Sequence, residues 1–220
     1  MWVSTIIVAA GSGTRFGGKK QFHLLCNKPV VIWSIDALIK ISDELILILP
    51  KEDILKFKNK WGKDYPEIKI FSGGKYRYDS VKEGLRHISS DSDYVCIHDG
   101  VRPLIKLETI KKCLNSAIKY GAAICAQPAI DTLKLSASKN FILRTIQRKK
   151  VWMAQTPQIF RKDIIISAYN KKISQEVTDD AELVEQLGYK IKLVKSDSTN
   201  IKITNKQDII IAEQLLLNNK

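Results

Sequence analysis

Short runs of consecutive apolar residues alternate along the chain with stretches in which apolar residues recur every three or four positions. The runs read as strands buried on both faces: STIIVAA (4–10), ELILILP (44–50), IKIFSGG (68–74), YVCIHDG (94–100) and AAICAQP (122–128). The periodic stretches read as helices. They are PVVIWSIDALIKI (29–41), opened by proline, a Lys-rich segment after 50, RYDSVKEGLRHI (77–88) and LETIKKCLNSAIKYG (107–121), stopped by glycine. Strands alternating with helices predict an α/β protein whose mostly parallel sheet is covered by helices on both faces. In such a sheet, ligands bind at the carboxyl ends of the strands.

The alternation breaks at DTLKLSASKNFILRTIQR (131–148), which reads as two strands joined by a polar turn with no helix between them. An isolated hairpin is only marginally stable in water, so this one needs a surface to pack on, and a second copy of the chain is a suitable one. Beyond it the pattern resumes, with helices near 161–171, 179–187 and 206–217 and short strands at YKIKLV (189–194) and NIKIT (200–204). The expectation is a single domain over 1–220 with a protruding β-hairpin arm at about 129–152.

Bulk composition narrows the class without fixing the function. The 36 Lys and Arg against 23 Asp and Glu give a net charge of +13, which favours an anionic partner while leaving most of the lysines as solvated surface. The apolar run at the start has about eight residues and no basic leader, and no stretch approaches the roughly 20 apolar residues that span a bilayer. Four cysteines without CxxC spacing read as small core residues in a reducing compartment. A cytoplasmic protein with no membrane partner is expected.

The densest chemistry lies in AAGSGTRFGGKKQF (9–22), a glycine loop directly after the first strand. Residues without a Cβ let backbone amides converge on a phosphate. The dinucleotide fingerprint fails, because Phe16 stands where its third glycine belongs. GTRFGGKK fits the start of a P-loop, but Lys20 replaces the Ser or Thr that holds magnesium. What remains is a loop adding Arg15, Lys19 and Lys20 to its amides, a density of charge suited to a triphosphate.

Together with GGKYRYDSV (73–81), HDGVRP (98–103), DTLK (131–134), WMAQTPQIF (152–160), TDDAELVEQLG (178–188) and NIKIT (200–204), this loop resembles the 2-C-methyl-D-erythritol 4-phosphate cytidylyltransferases of isoprenoid biosynthesis. The likeness runs from about residue 4 to 213 and rests on the set of motifs in order. It implies a Rossmann-like nucleotidyltransferase fold and a homodimer joined through the β-arm. It also implies CTP as co-substrate, magnesium held largely by the CTP phosphates with no protein ligands assigned, and transfer of CMP to a sugar-alcohol phosphate.

Carried over position by position, the resemblance makes Arg15 and Lys20 the pair that stabilises the α-phosphate, with amides from Gly11, Ser12 and Gly13. Ala9, Ala10, Gly73, Gly74 and Ser80 fall to cytosine binding. Asp99 and Arg102 face the ribose and the acceptor. Thr132 and Arg148 reach the acceptor phosphate from the neighbouring subunit, and Thr156, Thr178 and Lys202 complete its pocket. The loop here is shorter than the family's, and Lys19 stands in place of a proline, so Lys19 is the alternative to Lys20. Lys202, inside an apolar β-branched run, requires an anion if buried and otherwise reads as an edge lysine. His98 reads as a satisfied core histidine.

Within the fold, ribitol-5-phosphate cytidylyltransferase is the competing activity. AAG, the SV of GGKYRYDSV and WMAQTPQ favour the erythritol acceptor, whereas the valine of HDGVRP leans towards ribitol. A nucleic-acid-binding protein is disfavoured because no basic stretch carries interleaved aromatics or a recognition helix. A nicotinamide oxidoreductase is disfavoured by the broken fingerprint.

Overall fold

A computed structural model describes residues 1–171 and 177–218. In chain order the strands are β1 (Val3–Val8), β2 (Leu24–Leu25), β3 (Lys28–Pro29), β4 (Glu44–Leu49), β5 (Lys69–Ser72), β6 (Tyr94–Asp99), β7 (Ala122–Pro128), β8 (Leu133–Ser136), β9 (Ile142–Ile146), β10 (Trp152–Arg161) and β11 (Lys192–Lys195). The helices are α1 (Val30–Leu38), α2 (Ile54–Trp61), α3 (Arg77–Arg86), α4 (Leu107–Tyr120), α5 (Lys162–Asn170), α6 (Asp180–Glu185) and α7 (Lys206–Leu217).

Seven strands form one sheet in the order β11-β7-β10-β6-β1-β4-β5. The pairings β1–β4, β1–β6, β4–β5 and β7–β11 are parallel, and β10 runs antiparallel to both β6 and β7. Successive side chains leave a strand on opposite faces, so consecutive apolar residues fill two cores at once. Ile7, Leu45, Leu47 and Cys96 pack with α1, α2 and α4 on one face, while Ile6, Ile46, Ile48 and Ile97 pack with α3, α5 and α6 on the other. A third cluster, Phe16, Leu25, Val30, Val101, Leu104, Ile203, Ile209 and Ala212, seats the glycine loop and α7. Strand order reverses at β1, which places the carboxyl ends of β1 and β6 side by side at the switch point where α/β sheets hold ligands.

Two sequence expectations need correction. WMAQTPQIFR, which the apolar pattern leaves unassigned, is the long central strand β10. Pro157 and two glutamines disguise it, since proline cannot donate to a ladder and buried amides need partners. Its pairing with β7 shifts register between Ala154 and Gln158, so Pro157 falls in the irregular part. Buried Gln158 donates to Asp179 Oδ2 at 2.9 Å and accepts from the Ala181 amide at 3.0 Å at the start of α6. NIKIT, conversely, is not a strand. It is an irregular segment held by the Ile203 amide on the Val101 carbonyl at 2.9 Å, with Ile203 buried and the half-exposed Lys202 directed at Asp99.

The hairpin β8–β9 pairs antiparallel as a separate two-stranded sheet, Leu133 opposite Ile146. Its turn includes Lys139 and Asn140 at φ 58° and 61°, and it carries the exposed apolar side chains Phe141, Ile142 and Leu143.

Candidate active site

Between β1 and β2 the glycine loop is tied upon itself. The amides of Phe16, Gly17 and Gly18 all donate to the Gly13 carbonyl, at 2.9, 3.0 and 3.2 Å. Gly13 sits at φ 70°, and a Cβ there would run into the Gly18 carbonyl oxygen, so this position requires glycine. Phe16 plugs into the third core cluster, edge-on to His23 with ring centroids 5.2 Å apart, while Arg15 remains exposed. Gln21 donates to the Gly11 carbonyl at 3.2 Å and anchors the far side of the loop.

The two lysines part company here. Lys19 pairs with Glu52 at 2.8 Å and with Asp53, both ahead of α2. Lys20 lines a cavity of about 200 Å3 together with Arg15, Lys202, Asp99, Ala9, Ala10 and Gly11. Its ammonium is pushed below the ordinary lysine range, first by burial and then by the nearby Lys202 and Arg15. Five cations line this one cavity, since Lys75 and Arg77 join Arg15, Lys20 and Lys202, and Asp99 is the single acid among its described lining residues. Such an arrangement is poised for a polyanion.

Gly74, Tyr76, Arg77 and Ser80 close the opposite wall of that cavity. Gly73 lies beneath it, where a Cβ would strike the Ala10 side chain and come within 2.7 Å of Ser80 Oγ. The Ser80 hydroxyl in turn accepts from the Gly74 amide at 3.3 Å and donates to the Tyr76 carbonyl at 3.2 Å. Ser12 and Gly13 shape the loop without lining the cavity.

A second cavity, of about 230 Å3, shares Arg77, Asp99 and Lys202 with the first and adds Arg102, Thr156, Thr178, Gln155 and Asp179. Asp99, at the end of β6, is its hub. Arg77 Nε donates to Asp99 Oδ1 at 3.0 Å, Lys202 Nζ lies 2.8 Å from Oδ2, and Arg102 Nε lies 3.6 Å from Oδ2. Burial alone would raise the carboxyl, but Arg77, Lys202 and Arg102 together hold it well below the usual carboxylate range. Lys202 therefore does meet an anion, although its side chain is 39% exposed. Arg102 is fixed by its Nη1 on the Asn200 carbonyl at 2.8 Å, while its buried Nε has no hydrogen-bond partner. Thr178 lines the cavity with its hydroxyl and amide both on Glu182 Oε2 at 2.9 Å.

Thr132 and Arg148 lie apart from these cavities in the same chain. Both are exposed beside the hairpin, and Arg148 donates to the Ile130 carbonyl. The structure also brings in groups that motif reasoning passed over. Arg77 grips Asp180 through Nη1 and Nη2 at 3.0 and 2.8 Å, Asp180 is fully buried, and Tyr169 donates to it at 2.6 Å. The signal was present as the arginine of GGKYRYDS and the second acid of TDDAELV. Their pairing spans 103 residues and is invisible to any local pattern.

Comparison with known proteins gives one consistent result. The family profile described as IspD, 2-C-methyl-D-erythritol 4-phosphate cytidylyltransferase, matches residues 3–218. A protein of that name from Endomicrobium trichonymphae is 41% identical over 219 residues, covering 97% of this chain and 98% of that protein. Another, from Syntrophus aciditrophicus, is 39% identical over 223 residues, covering 97% of this chain and 95% of its own length. The solved structure of 4-diphosphocytidyl-2C-methyl-D-erythritol synthase from Anaerococcus prevotii is 34% identical and superposes with a TM-score of 0.88, covering 98% of each chain.

Proposed function

The chain belongs to the 2-C-methyl-D-erythritol 4-phosphate cytidylyltransferase family, and from that membership we infer that it transfers CMP from CTP to 2-C-methyl-D-erythritol 4-phosphate, releasing pyrophosphate. The acceptor is the erythritol compound rather than ribitol 5-phosphate, in keeping with every relative compared above. The observation that carries the mechanism is the convergence of Arg15, Lys20 and Lys202 on one cavity that holds a single acid.

The chemistry is attack of a phosphate oxygen on the α-phosphorus of CTP. A phosphomonoester has its second pKa near 6, so at neutral pH it is already a nucleophilic dianion and needs no general base. The obstacle is electrostatic, because two anions must approach while charge builds on the α-phosphate and the leaving group. Arg15 offers a planar fork to two oxygens and Lys20 a point charge, both lining a partly enclosed cavity. Removing one preorganised contact of this kind raises a barrier by roughly 3–4 kcal/mol. Gly11 and the loop amides lie towards the triphosphate, and Ala9, Ala10, Gly73, Gly74 and Ser80 towards the base, where small residues permit backbone contacts with its edge.

The acceptor takes the second cavity. Lys202 and Arg102 receive its phosphate beside Thr156 and Thr178, and Arg148 and Thr132 come from the arm (129–152) of a partner subunit. Two features support that assembly: the arm's exposed Phe141, Ile142 and Leu143, and the fact that Arg148 lines neither of its own chain's two cavities. Magnesium enters bound to the CTP phosphates. The described residues fit no protein-held ion, because Asp99 is already engaged by Arg77, Lys202 and Arg102, and no step is assigned to the metal. No described helix is long and apolar enough to cross a membrane, and the four cysteines are free thiols, which suits work in the cytoplasm.

Pyrophosphate release, measured with CTP and each of the two candidate acceptors in parallel, tests the reading. Turnover with methylerythritol phosphate exceeding that with ribitol 5-phosphate by at least about tenfold in kcat/KM is expected. Equal rates, or a preference for ribitol phosphate, overturn it.

A further inference from the structure

His98 is fully buried near the end of β6, yet both of its ring nitrogens are engaged. Nε2 lies 3.2 Å from the Arg102 carbonyl oxygen, and Nδ1 lies 3.1 Å from Thr156 Oγ1. The Asp99 amide donates to that same Oγ1 at 3.0 Å. A carbonyl can only accept, so Nε2 must carry a proton. Burial pushes the imidazole down to about 4, so the ring is neutral and Nδ1 is a bare acceptor. The one hydrogen able to serve it is the Thr156 hydroxyl's. A single assignment satisfies every group: Asp99 N–H to Thr156, Thr156 O–H to His98 Nδ1, and His98 Nε2–H to the Arg102 carbonyl.

We propose that His98 is a positioning residue for the acceptor half of the site, fixing Asp99 through Thr156 and Arg102 through its carbonyl. Two of the groups it ties, Asp99 and Arg102, form the acid–base contact lining the second cavity. Thr156 spends its only hydrogen on His98 and cannot donate to a phosphate dianion, so its service to the acceptor is indirect. The chain also bridges β6 to β10 at the irregular stretch of β10, where ladder bonding is interrupted and side chains must set the geometry. An aliphatic residue would fill the same space without desolvating two nitrogens, but it would leave the Thr156 hydroxyl and the Arg102 carbonyl unserved.

The proposal rests on the acceptor site assigned above, so wild-type turnover is established first; its absence refutes that assignment and leaves the hydrogen-bond chain to be judged by spectroscopy. A long-range 1H–15N spectrum of the histidines is expected to show His98 protonated on Nε2 alone from neutral pH down to about pH 5. A proton on Nδ1 in that range overturns the proposal. In kinetics, Thr156→Val and His98→Leu are each expected to raise KM for methylerythritol phosphate by about tenfold and KM for CTP by less than about threefold. The double variant is expected to be no worse than the poorer single one. His98→Asn, which keeps an acceptor near Nδ1, and Thr156→Ser, which keeps the hydroxyl, are expected to recover most of the loss. Two KM values that move together with melting temperature, or effects that simply add, mark a merely structural histidine and overturn the proposal. If His98→Leu does not fold, the Thr156→Val and Thr156→Ser pair decides by the same criteria.

Discussion

Arg77 supports the sharpest energetic prediction. Its guanidinium makes two bonds to Asp180, at 3.0 and 2.8 Å, and one to Asp99, at 3.0 Å. Burial would depress its pKa, but Asp180 and Asp99 raise it well above the ordinary arginine range. Arg77→Met keeps most of the aliphatic bulk and strands a carboxylate with no exposure at all. Breaking a buried pair in this way costs about 3–5 kcal/mol. The lower end is expected, because Tyr169 still donates to Asp180 at 2.6 Å and 27% of the Arg77 side chain reaches solvent. Urea denaturation followed by tryptophan fluorescence, at one protein concentration, measures the loss.

Its pH dependence has a definite sign. In the wild type, Asp99 has a folded pKa below its unfolded value, so it contributes stability above about pH 4 that is lost as pH falls further. In the variant, Asp99 loses Arg77, the largest of the charges that hold it down, and so has less of that contribution to lose on acidification. The gap between the two proteins is therefore widest at neutral pH and narrows on acidification. Asp180→Asn in the Arg77→Met background should return part of the loss. A gap under about 1 kcal/mol at neutral pH, or one that grows as pH falls, refutes this account of the pair.

Lys20→Ala should lower kcat by roughly two to three orders of magnitude. Lys19→Ala should stay within a few-fold of wild type, since its ammonium serves Glu52 and Asp53; the reverse pattern in steady-state assays would reassign the loop. Mixing inactive Arg15→Ala and Arg148→Ala subunits should restore activity if each site borrows Arg148 from a partner, and no recovery after verified subunit exchange rejects a shared site. His98, with a folded value of about 4 against 6.5 for the free side chain, keeps its full contribution above pH 6.5 and loses it as pH falls towards 4. Integrated between about pH 7 and pH 5, that amounts to about 2 kcal/mol. Wild type should lose that much more than His98→Asn over the interval in parallel urea titrations, and equal losses would show that the buried ring does not control it.

Local pattern and motif carried much of this protein. Strand runs such as ELILILP and helical repeats such as LETIKKCLNSAIKYG lie where periodicity places them, because burial on one face or two leaves a direct trace in the order of residues. The hairpin was legible for the complementary reason that no helix interrupts its two strands. Loop chemistry was also local. Glycines directly after β1, followed by Arg15 and Lys20, suffice to suggest a polyphosphate site.

What escaped the sequence depends on partners distant in the chain. Gln158 and Pro157 look wrong for a central strand until α6 offers Gln158 its hydrogen-bond partners. NIKIT has the composition of a strand, yet no sheet edge reaches it, so one backbone bond to Val101 and the burial of Ile203 shape it instead. Between two adjacent lysines, the resemblance favoured Lys20 and left Lys19 as the alternative. Folding brings Glu52 and Asp53 to one and the cavity to the other. Composition and periodicity thus determined which segments become strands, helices and a phosphate-binding loop, since those depend on neighbours a few residues away. Which cations are neutralised, which way Thr156 spends its hydrogen, and how Arg77 finds Asp180 were decided only by tertiary structure, because charge and hydrogen-bond partnership depend on distance in space.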